Sequence, residues 1–204
     1  MEALICPIEW GAATTTLRGQ AESGDRGVVA PFASGVLVAV IDGLGHGDEA
    51  ASAAQLTARI LETDPHESVI TLVRRCDERL RVTRGVVISL ATFNARDGTM
   101  TWLGVGNVEG RFVRANPEAT PACEYLLLRG GVVGGHLPML QATLLPVLPG
   151  DTLVFATDGV VLPPAEDIVS TERPQAMAES ILSRYSRRTD DALVLVARWE
   201  GLPG

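Results

Sequence analysis

The chain contains one run of apolar residues that ends abruptly in an acid. Residues 36–41 are all apolar and mostly β-branched, and Asp42 and Gly43 follow them directly. A run of this kind predicts a strand that is buried on both faces. Asp42 therefore stands at the edge of a hydrophobic core, where a carboxylate is unexpected unless the end of the strand has a role.

The turn after this strand is rich in glycine, with Gly43, Gly45 and Gly47 within five residues. Glycine lets a backbone bend tightly and approach a ligand closely. The Asp42 carboxylate and the Gly43 carbonyl are hard oxygen donors of the kind that Mg²⁺ and Mn²⁺ prefer. The alternative is a simple turn in which Asp42 caps a helix that starts near Gly47.

Three more acidic points lie at the ends of predicted strands. An apolar stretch runs into Asp158 and Gly159, Asp190 and Asp191 precede the apolar residues 192–197, and Asp25 stands just before another apolar segment. Carboxylates at the ends of buried strands can meet at one edge of a fold. The sequence therefore suggests a single metal cluster built from separate parts of the chain.

In this order, the acidic motifs resemble those of the PPM (type 2C) metal-dependent protein serine/threonine phosphatases. The matching motifs are Gly24-Asp25, Asp42-Gly43-x-Gly45-x-Gly47, Thr157-Asp158-Gly159 and Asp190-Asp191. The His-Gly that follows Asp-Gly-x-Gly, with an Ala-rich helix after it, is similar to the bacterial branch that includes SpoIIE and the Rsb phosphatases. A chain this short is most similar to the stand-alone RsbX-like subtype of stressosome signalling. The resemblance covers about the whole chain.

This resemblance implies an enzyme that hydrolyses phosphoserine and phosphothreonine. It implies two divalent ions, Mn²⁺ or Mg²⁺, with attack by a water that bridges them. It also implies a phosphorylated protein substrate, namely a STAS-domain component of a bacterial stressosome. The metal-binding positions carried over from the family are Asp25, Asp42, Gly43, Asp158, Asp190 and, as second choice for the final ligand, Asp191.

The resemblance assigns separate roles to these positions. Asp42 would bridge both ions, and Gly43 would contribute its carbonyl to one of them. Asp158 and Asp190 would hold the other ion. Asp25 would act through water.

Two further residues are candidates for other catalytic roles. Eukaryotic members of the family carry a histidine directly after Asp-Gly, whereas this chain has Leu44 there. His46 is therefore the candidate general acid, or it only orients the turn. By its order in the chain, Arg18 corresponds to the family arginine that binds the substrate phosphate, with Arg26 as runner-up. The alternative for either is a solvated surface arginine.

Composition excludes several classes of function. The 204 residues are 46% hydrophobic, which predicts one domain over residues 1–204. The net charge of -8 argues against nucleic-acid and anionic-membrane partners. No apolar run approaches the roughly 20 residues needed to cross a bilayer, and the N-terminus lacks the basic start of a signal peptide. We therefore expect a cytoplasmic protein.

The pattern of elements predicts an α+β fold. Apolar runs and turn signals predict early strands within residues 3–17, with the segment after Gly27 as candidate partner. The other predicted strands are 28–32, 36–41, 86–95, 100–106, 123–129, 141–148, the stretch from Asp151 that runs into Asp158, and 192–197. The predicted helices are 48–61, 65–81 with Asp64 as N-cap, a helical stretch between Pro164 and Glu172, and 175–185. Such an order suggests two stacked, mainly antiparallel sheets with helix pairs outside, and the resemblance implies the same αββα sandwich.

Two other functions compete with an active phosphatase. One is a catalytically weak or inactive phosphatase fold that only binds a phosphoprotein. The intact acidic set argues against it, because holding like charges together is costly without a metal. The other is a structural Ca²⁺-binding protein, whose D-x-D-x-D-G signature is missing around Asp42.

Overall fold

Two β-sheets form the centre of the protein, and α-helices cover their outer faces. The computed structural model describes residues 6–168, 172–187 and 189–201. The strands are β1 (Ile8–Thr15), β2 (Asp25–Phe32), β3 (Gly35–Gly43), β4 (Val86–Asn94), β5 (Thr99–Val105), β6 (Glu109–Val113), β7 (Cys123–Tyr125), β8 (Leu128–Arg129), β9 (Thr143–Pro146), β10 (Thr152–Ala156) and β11 (Ala192–Trp199). The helices are α1 (Asp48–Thr63), α2 (Val69–Leu80) and α3 (Pro174–Tyr185), with a 3₁₀ turn at Ala165–Asp167.

The first sheet has the order β1-β11-β10-β6-β7, and the second has the order β2-β3-β4-β5-β8, with β9 also paired to β5. All of these pairs are antiparallel except β5 with β8. The predicted α+β sandwich is therefore confirmed. β1 pairs along its whole length with β11, and not with the segment after Gly27.

Strand β3 is buried on both faces, as its continuous apolar sequence predicts. Val36, Val38 and Val40 face the core between the two sheets. The alternate residues Leu37 and Ile41 face the core beneath α1 and α2. Because successive side chains of a strand point to opposite faces, a strand covered on both sides needs apolar residues at every position.

Aromatic side chains fill the space between the sheets. Phe93 and Trp199 stack with ring centroids 5.7 Å apart, and Trp102 meets Phe112 edge-on at 6.4 Å. Such pairs add about 0.5–1.5 kcal/mol to the free energy gained by burial alone. They join strands of opposite sheets and so fix how the sheets stack.

The helices lie on the outer faces of the sheets. α1 packs on β2 and β3 through small residues, and its turn with β3 is close enough that a Cβ on Gly43 would lie 2.2 Å from the Ala50 carbonyl oxygen. α3 packs on β1 and β11. On that side, residues 172–187 supply the one described α-helix.

Several element boundaries differ from the sequence prediction. α2 begins after Ser68, whose hydroxyl accepts a hydrogen bond from the Thr71 amide, whereas Asp64 forms an ion pair with Arg75 instead of capping the helix. Strand β6 is not predicted by the sequence, because its only two apolar residues, Phe112 and Val113, follow Glu, Gly and Arg. The segment predicted as one strand over 123–129 is divided between β7 in the first sheet and β8 in the second.

No helix in the described parts of the chain combines the length and the apolar character that a membrane span requires.

Candidate metal and phosphate site

The second sheet brings two of the predicted acids face to face. Asp25 begins β2 and Asp42 lies near the end of β3, and the two are direct partners in the strand register. The next pair of residues continues the contact, because the Gly43 amide donates to the Gly24 carbonyl at 3.0 Å. Residues directly opposite on antiparallel strands have Cβ atoms about 5 Å apart. Two carboxylates are thus held side by side at the end of a buried strand.

The first sheet supplies the other acids from the same end of the sandwich. Asp158 follows β10, and Asp190 and Asp191 immediately precede β11. The side chains of Asp158 and Asp190 are exposed, whereas that of Asp191 is buried. Asn107, in the turn between β5 and β6, donates from Nδ2 to Asp158 Oδ2 at 2.7 Å and so orients that carboxylate.

A buried hydroxyl connects the acids of the two sheets. Thr157 is only 1% exposed, and its Oγ1 donates to Asp25 Oδ2 at 2.7 Å. The same oxygen accepts a hydrogen bond from the Leu193 amide at 2.9 Å. Thr157 therefore fixes the Asp25 side chain of the second sheet against the backbone of the first.

Asp191 binds backbone amides with both of its carboxylate oxygens. Oδ1 accepts from the Leu17 amide and Oδ2 from the Gly24 amide, each at 2.7 Å. The Asp190 carboxylate in turn accepts from the Asp191 amide at 2.9 Å, and its side chain reaches solvent. Asp191 thus fastens the segment between β1 and β2 to the start of β11, while Asp190 faces the open site.

Replacing Asp191 by alanine is expected to destabilise the protein by about 2–4 kcal/mol, because the buried Gly24 amide and the partly buried Leu17 amide lose a charged acceptor. Urea unfolding of the chelator-treated protein measures this loss without any contribution from metal binding. The matched control is Asp190→Ala, which removes an exposed carboxylate and should change the free energy of unfolding by no more than about 0.5 kcal/mol. Equal losses in the two variants would contradict the structural role of Asp191.

The two Asp-Gly motifs require glycine for the same physical reason, which is that a side chain there would collide with a neighbouring backbone. A Cβ at Gly43 would lie 2.2 Å from the Ala50 oxygen, and one at Gly159 would lie 2.0 Å from the Asp191 oxygen. Both glycines therefore allow another segment to press directly against the backbone beside an acid. α1 itself begins after Gly47 without a side-chain cap, so Asp42 does not cap this helix.

The local environment disfavours negative charge on the two central acids. Burial raises the pKa of Asp25 to about 7 and the pKa of Asp42 to about 8, from an ordinary value of 3.8. The hydrogen bond from Thr157 opposes this shift at Asp25. Neighbouring carboxylates add to it: Asp158, Asp190 and Asp191 raise the pKa of both acids, and Asp25 also raises that of Asp42.

This donor set fits a divalent cation. The five acids form no ion pair with any arginine or histidine of the described residues, so no salt bridge offsets their mutual repulsion. All available donors are oxygens, which suits Mg²⁺ or Mn²⁺ better than Zn²⁺. Within residues 6–168, 172–187 and 189–201, no three acidic, histidine or cysteine side chains converge closely enough to hold an ion by themselves. An ion there would also need backbone carbonyl or water ligands.

The remaining predicted residues lie around this cluster. His46 is exposed in the turn after Asp42 and hydrogen-bonds to no described group. Arg18 is exposed and lines the same cleft as Asp190, which puts a positive charge beside the open side of the cluster. Arg26 lies one residue after Asp25 and lines a second cleft with it. Its Nε is buried without a hydrogen-bond partner in the described structure.

Two other segments of the chain pack against the turn that follows Asp42. Arg84 pairs with Glu49 at 2.5 Å and packs so closely on Gly45 that a Cβ there would lie 3.0 Å from its guanidinium. The Leu44 amide donates to the Gly85 carbonyl at 3.1 Å. The glycine-rich loop at 130–138 packs against residues 85 and 86, and Val133 forms a bridge with Val86, the ladder partner of Gly43.

Sequence reasoning missed the hydrogen-bonding roles of Asn107 and Thr157. Thr157 belongs to the Thr157-Asp158-Gly159 motif, and in the sequence only its position next to Asp158 indicates a role at the site. Asn107 follows the turn at Gly106, but nothing local connects it with Asp158, which lies 51 residues further along the chain. Such a contact becomes visible only when the strand order is known.

Comparison with known proteins agrees with this architecture. The family model for stage II sporulation protein E (SpoIIE) matches residues 33–200. The phosphoserine phosphatase RsbX of Bacillus subtilis (strain 168) is 24% identical over 161 residues, which cover 79% of each chain.

Two solved structures have the same fold. One is a chain from a solved structure that concerns the bacterial stressosome, described there as a modular system that has been adapted to control secondary messenger signalling. It has a TM-score of 0.86 and 28% identity, and the match covers 94% of this chain and 99% of that one. The other, RsbX in complex with magnesium, has a TM-score of 0.83 and 21% identity, with 94% of each chain covered. The chain therefore belongs to the SpoIIE family, within the PP2C-type serine/threonine phosphatases that its acidic motifs resemble.

Proposed function

We propose that this protein is a metal-dependent phosphatase that hydrolyses phosphoserine or phosphothreonine in a protein substrate. One observation carries the proposal: Asp25 and Asp42 lie opposite each other at their strand ends, and Asp158 and Asp190 lie near enough to raise the pKa of both. Burial and mutual repulsion make this arrangement unfavourable without a cation. A site that holds acids at such a cost is suited to binding divalent metal.

In our proposal two divalent ions would be held by residues of this cluster. Asp42 and the Gly43 carbonyl would hold one ion, and Asp42, Asp158 and Asp190 would hold the other, while Asp25 would take part through water. Ions bound here would supply an activated water and neutralise the charge of the phosphate.

The side chains around the acids hold them in place for this chemistry. Thr157 and Asn107 each donate to one carboxylate oxygen, on Asp25 and Asp158, and leave the second oxygen of that carboxylate available. Asp191 has both oxygens on backbone amides, so Asp190 is the better final ligand. Arg18, on the cleft that Asp190 also lines, is positioned to bind the phosphate.

The substrate that we propose is a phosphorylated STAS-domain protein of a stressosome, in the cytoplasm. Two similarities support this choice, one to the phosphoserine phosphatase RsbX and one to a chain from a stressosome structure. The net charge of -8 is the reason why we propose no nucleic-acid and no anionic-membrane partner.

The proposal is tested by hydrolysis of an aryl phosphate by the purified protein in Mn²⁺, in Mg²⁺ and in chelator. Turnover that requires metal supports it. Demonstrated metal binding without turnover on any phosphoester would instead leave a module that binds a phosphoprotein.

His46→Ala is expected to lower turnover by less than about tenfold, because this exposed side chain makes no hydrogen bond to the described residues around the acids. Steady-state hydrolysis of an aryl phosphate and of a phosphoserine peptide measures the effect. Peptide hydrolysis is the sharper assay, since an alkoxide leaving group depends more on a general acid. A loss of about 100-fold or more on the peptide is the size expected for a general acid and would assign that role to His46.

A further inference from the structure

One edge of the first sheet is open beside the site. β1 pairs on one side with β11, and no described strand pairs with its other side. At one point a side chain takes the place of a partner strand: the Gln175 amide donates to the Ala12 carbonyl and accepts from the Ala12 amide, both at 3.1 Å. The outward-facing groups of Ala12 are thus already occupied, and only those elsewhere on this strand are available for ladder-type hydrogen bonds.

The direction of the remaining groups follows from the ladder. Peptide groups in an antiparallel strand alternate between the two sides, so the amide and carbonyl of Thr14 point outward like those of Ala12. Thr14 is exposed, and its backbone has no hydrogen bond from Gln175. The open part of the edge therefore lies at Thr14, just before β1 ends at Thr15. Beyond it the chain continues to Arg18, and the Leu17 amide on the way already donates to Asp191.

Two clefts flank this open edge, one on each face of the sheet. The first, of about 850 Å³, separates β1 from α3 and ends at Arg18 and Asp190. The second, of about 530 Å³, lies on the face towards the second sheet and includes Asp25 and the half-exposed Trp10. A strand added to the edge would send alternate side chains into the two clefts, because successive side chains point to opposite faces.

We propose that this edge binds the phosphoprotein substrate as an added strand, so that the residues flanking the phosphoserine pair with β1 and the phosphate reaches Arg18 and Asp190. This inference rests on the proposed function and adds the mode of substrate recognition. The α3 residues that line the first cleft run from Gln175 to Ser183. Eight helical rises span about 12 Å, which matches about four residues of extended chain.

The position and charge of the edge favour a substrate segment over a second copy of the chain. The open edge leads directly to Asp190 and Asp25, so an added strand is delivered to the acids. A second copy would bring together two chains that each carry a net charge of -8. Main-chain hydrogen bonds do not depend on which side chains the bound segment carries. Such pairing therefore suits an enzyme that recognises the phosphate rather than a fixed set of side chains.

The test compares a peptide with a minimal substrate. The peptide carries four alternating Thr and Val residues on each side of a phosphoserine, and the minimal substrate is phosphoserine with both ends capped. Strand pairing predicts that kcat/KM for the peptide exceeds that for capped phosphoserine by about tenfold, as expected for a few net hydrogen bonds. A ratio near one would overturn the proposal.

Two variants locate the effect on the edge. Thr14→Pro removes an outward donor at an edge position where proline is tolerated, and Ser183→Tyr fills the first cleft from the exposed face of α3. Each should bring the ratio of kcat/KM values close to one. The matched control is Ala176→Tyr, an exposed α3 residue that does not line the cleft, and it should keep the full ratio. A ratio that stays high in both edge variants, or that falls equally in the control, contradicts strand addition.

Binding separates a failure of this inference from a failure of the proposed function. Fluorescence anisotropy of the labelled peptide measures docking whether or not turnover occurs. Docking that Thr14→Pro abolishes would support the edge even in a protein without phosphatase activity, whereas turnover without edge-dependent docking would overturn the edge alone. A dimer in analytical ultracentrifugation that Thr14→Pro dissociates would assign the edge to a second copy.

Discussion

Replacing Asp42 by asparagine is expected to lower metal-dependent hydrolysis of an aryl phosphate by at least about 100-fold. The amide keeps the size of the side chain but removes the charge that would attract both ions at the end of β3. Because Asp42 lies opposite Asp25 in the strand register, the same change also removes a repulsion between like charges. The variant should therefore fold at least as stably as the parent in chelator, which separates a loss of catalysis from a loss of structure.

The control for this substitution is Asp48→Asn, an identical change six residues further along the chain, at an exposed position in the first turn of α1. It should keep turnover within about twofold, because Asp48 does not belong to the acids that act on the pKa of Asp42. Calorimetric titration with Mn²⁺ provides a second readout, and affinity should fall in the Asp42 variant only. Turnover within a few fold of the parent would exclude Asp42 as the central ligand.

The second large effect is expected in the pH dependence of stability. In chelator, the free energy of unfolding should fall by at least about 2 kcal/mol between pH 5 and pH 9, since one unit of pKa shift corresponds to about 1.4 kcal/mol. The sign follows from the raised pKa values of about 7 for Asp25 and about 8 for Asp42. The folded chain keeps protons that the unfolded chain has already released near pH 4. The resulting stabilisation is complete below about pH 4 and is lost as the pH rises through 7 and 8.

Added Mn²⁺ should reverse this trend, because metal binds the ionised acids and is favoured as their protons leave. Thermal unfolding at pH 5, 7 and 9, with metal and with chelator, measures both slopes. The double variant Asp25→Asn, Asp42→Asn should show neither the fall in unfolding temperature with rising pH in chelator nor the rise with pH in Mn²⁺. Identical unfolding temperatures at pH 5 and pH 9 in chelator would mean that these acids are not held in the environment described here.

Sequence alone locates the parts of the site that depend on local pattern. The apolar run before Asp42 predicts its strand because burial on both faces leaves no polar position. The same reasoning finds the strand before Asp158 and the strand after Asp191. α2 was placed too early because Asp64 and Ser68 are both capable N-caps, and only the ion pair with Arg75 shows why Asp64 is not used.

The functions of individual acids depend on contacts that no local pattern contains. Asp190 and Asp191 are neighbours in sequence, yet one faces the open site and the other binds the amides of Leu17 and Gly24. That difference arises because a segment 167 residues away folds back onto β11. The family resemblance places Asp190 before Asp191 as a metal ligand, and the spacing of the two neighbouring acids carries no information on that order.

The two sheets contribute equally to the acidic cluster, and this has a mechanical consequence. Asp25 and Asp42 belong to one sheet, Asp158 and Asp190 flank strands of the other, and Thr157 is a hydrogen-bonded link between them. An ion shared by these carboxylates would act as a clasp that closes this end of the sandwich. Metal binding at the catalytic site would then also make the two sheets more rigid. A protein without its metal would lose part of its structural stability as well as the ion that catalysis needs.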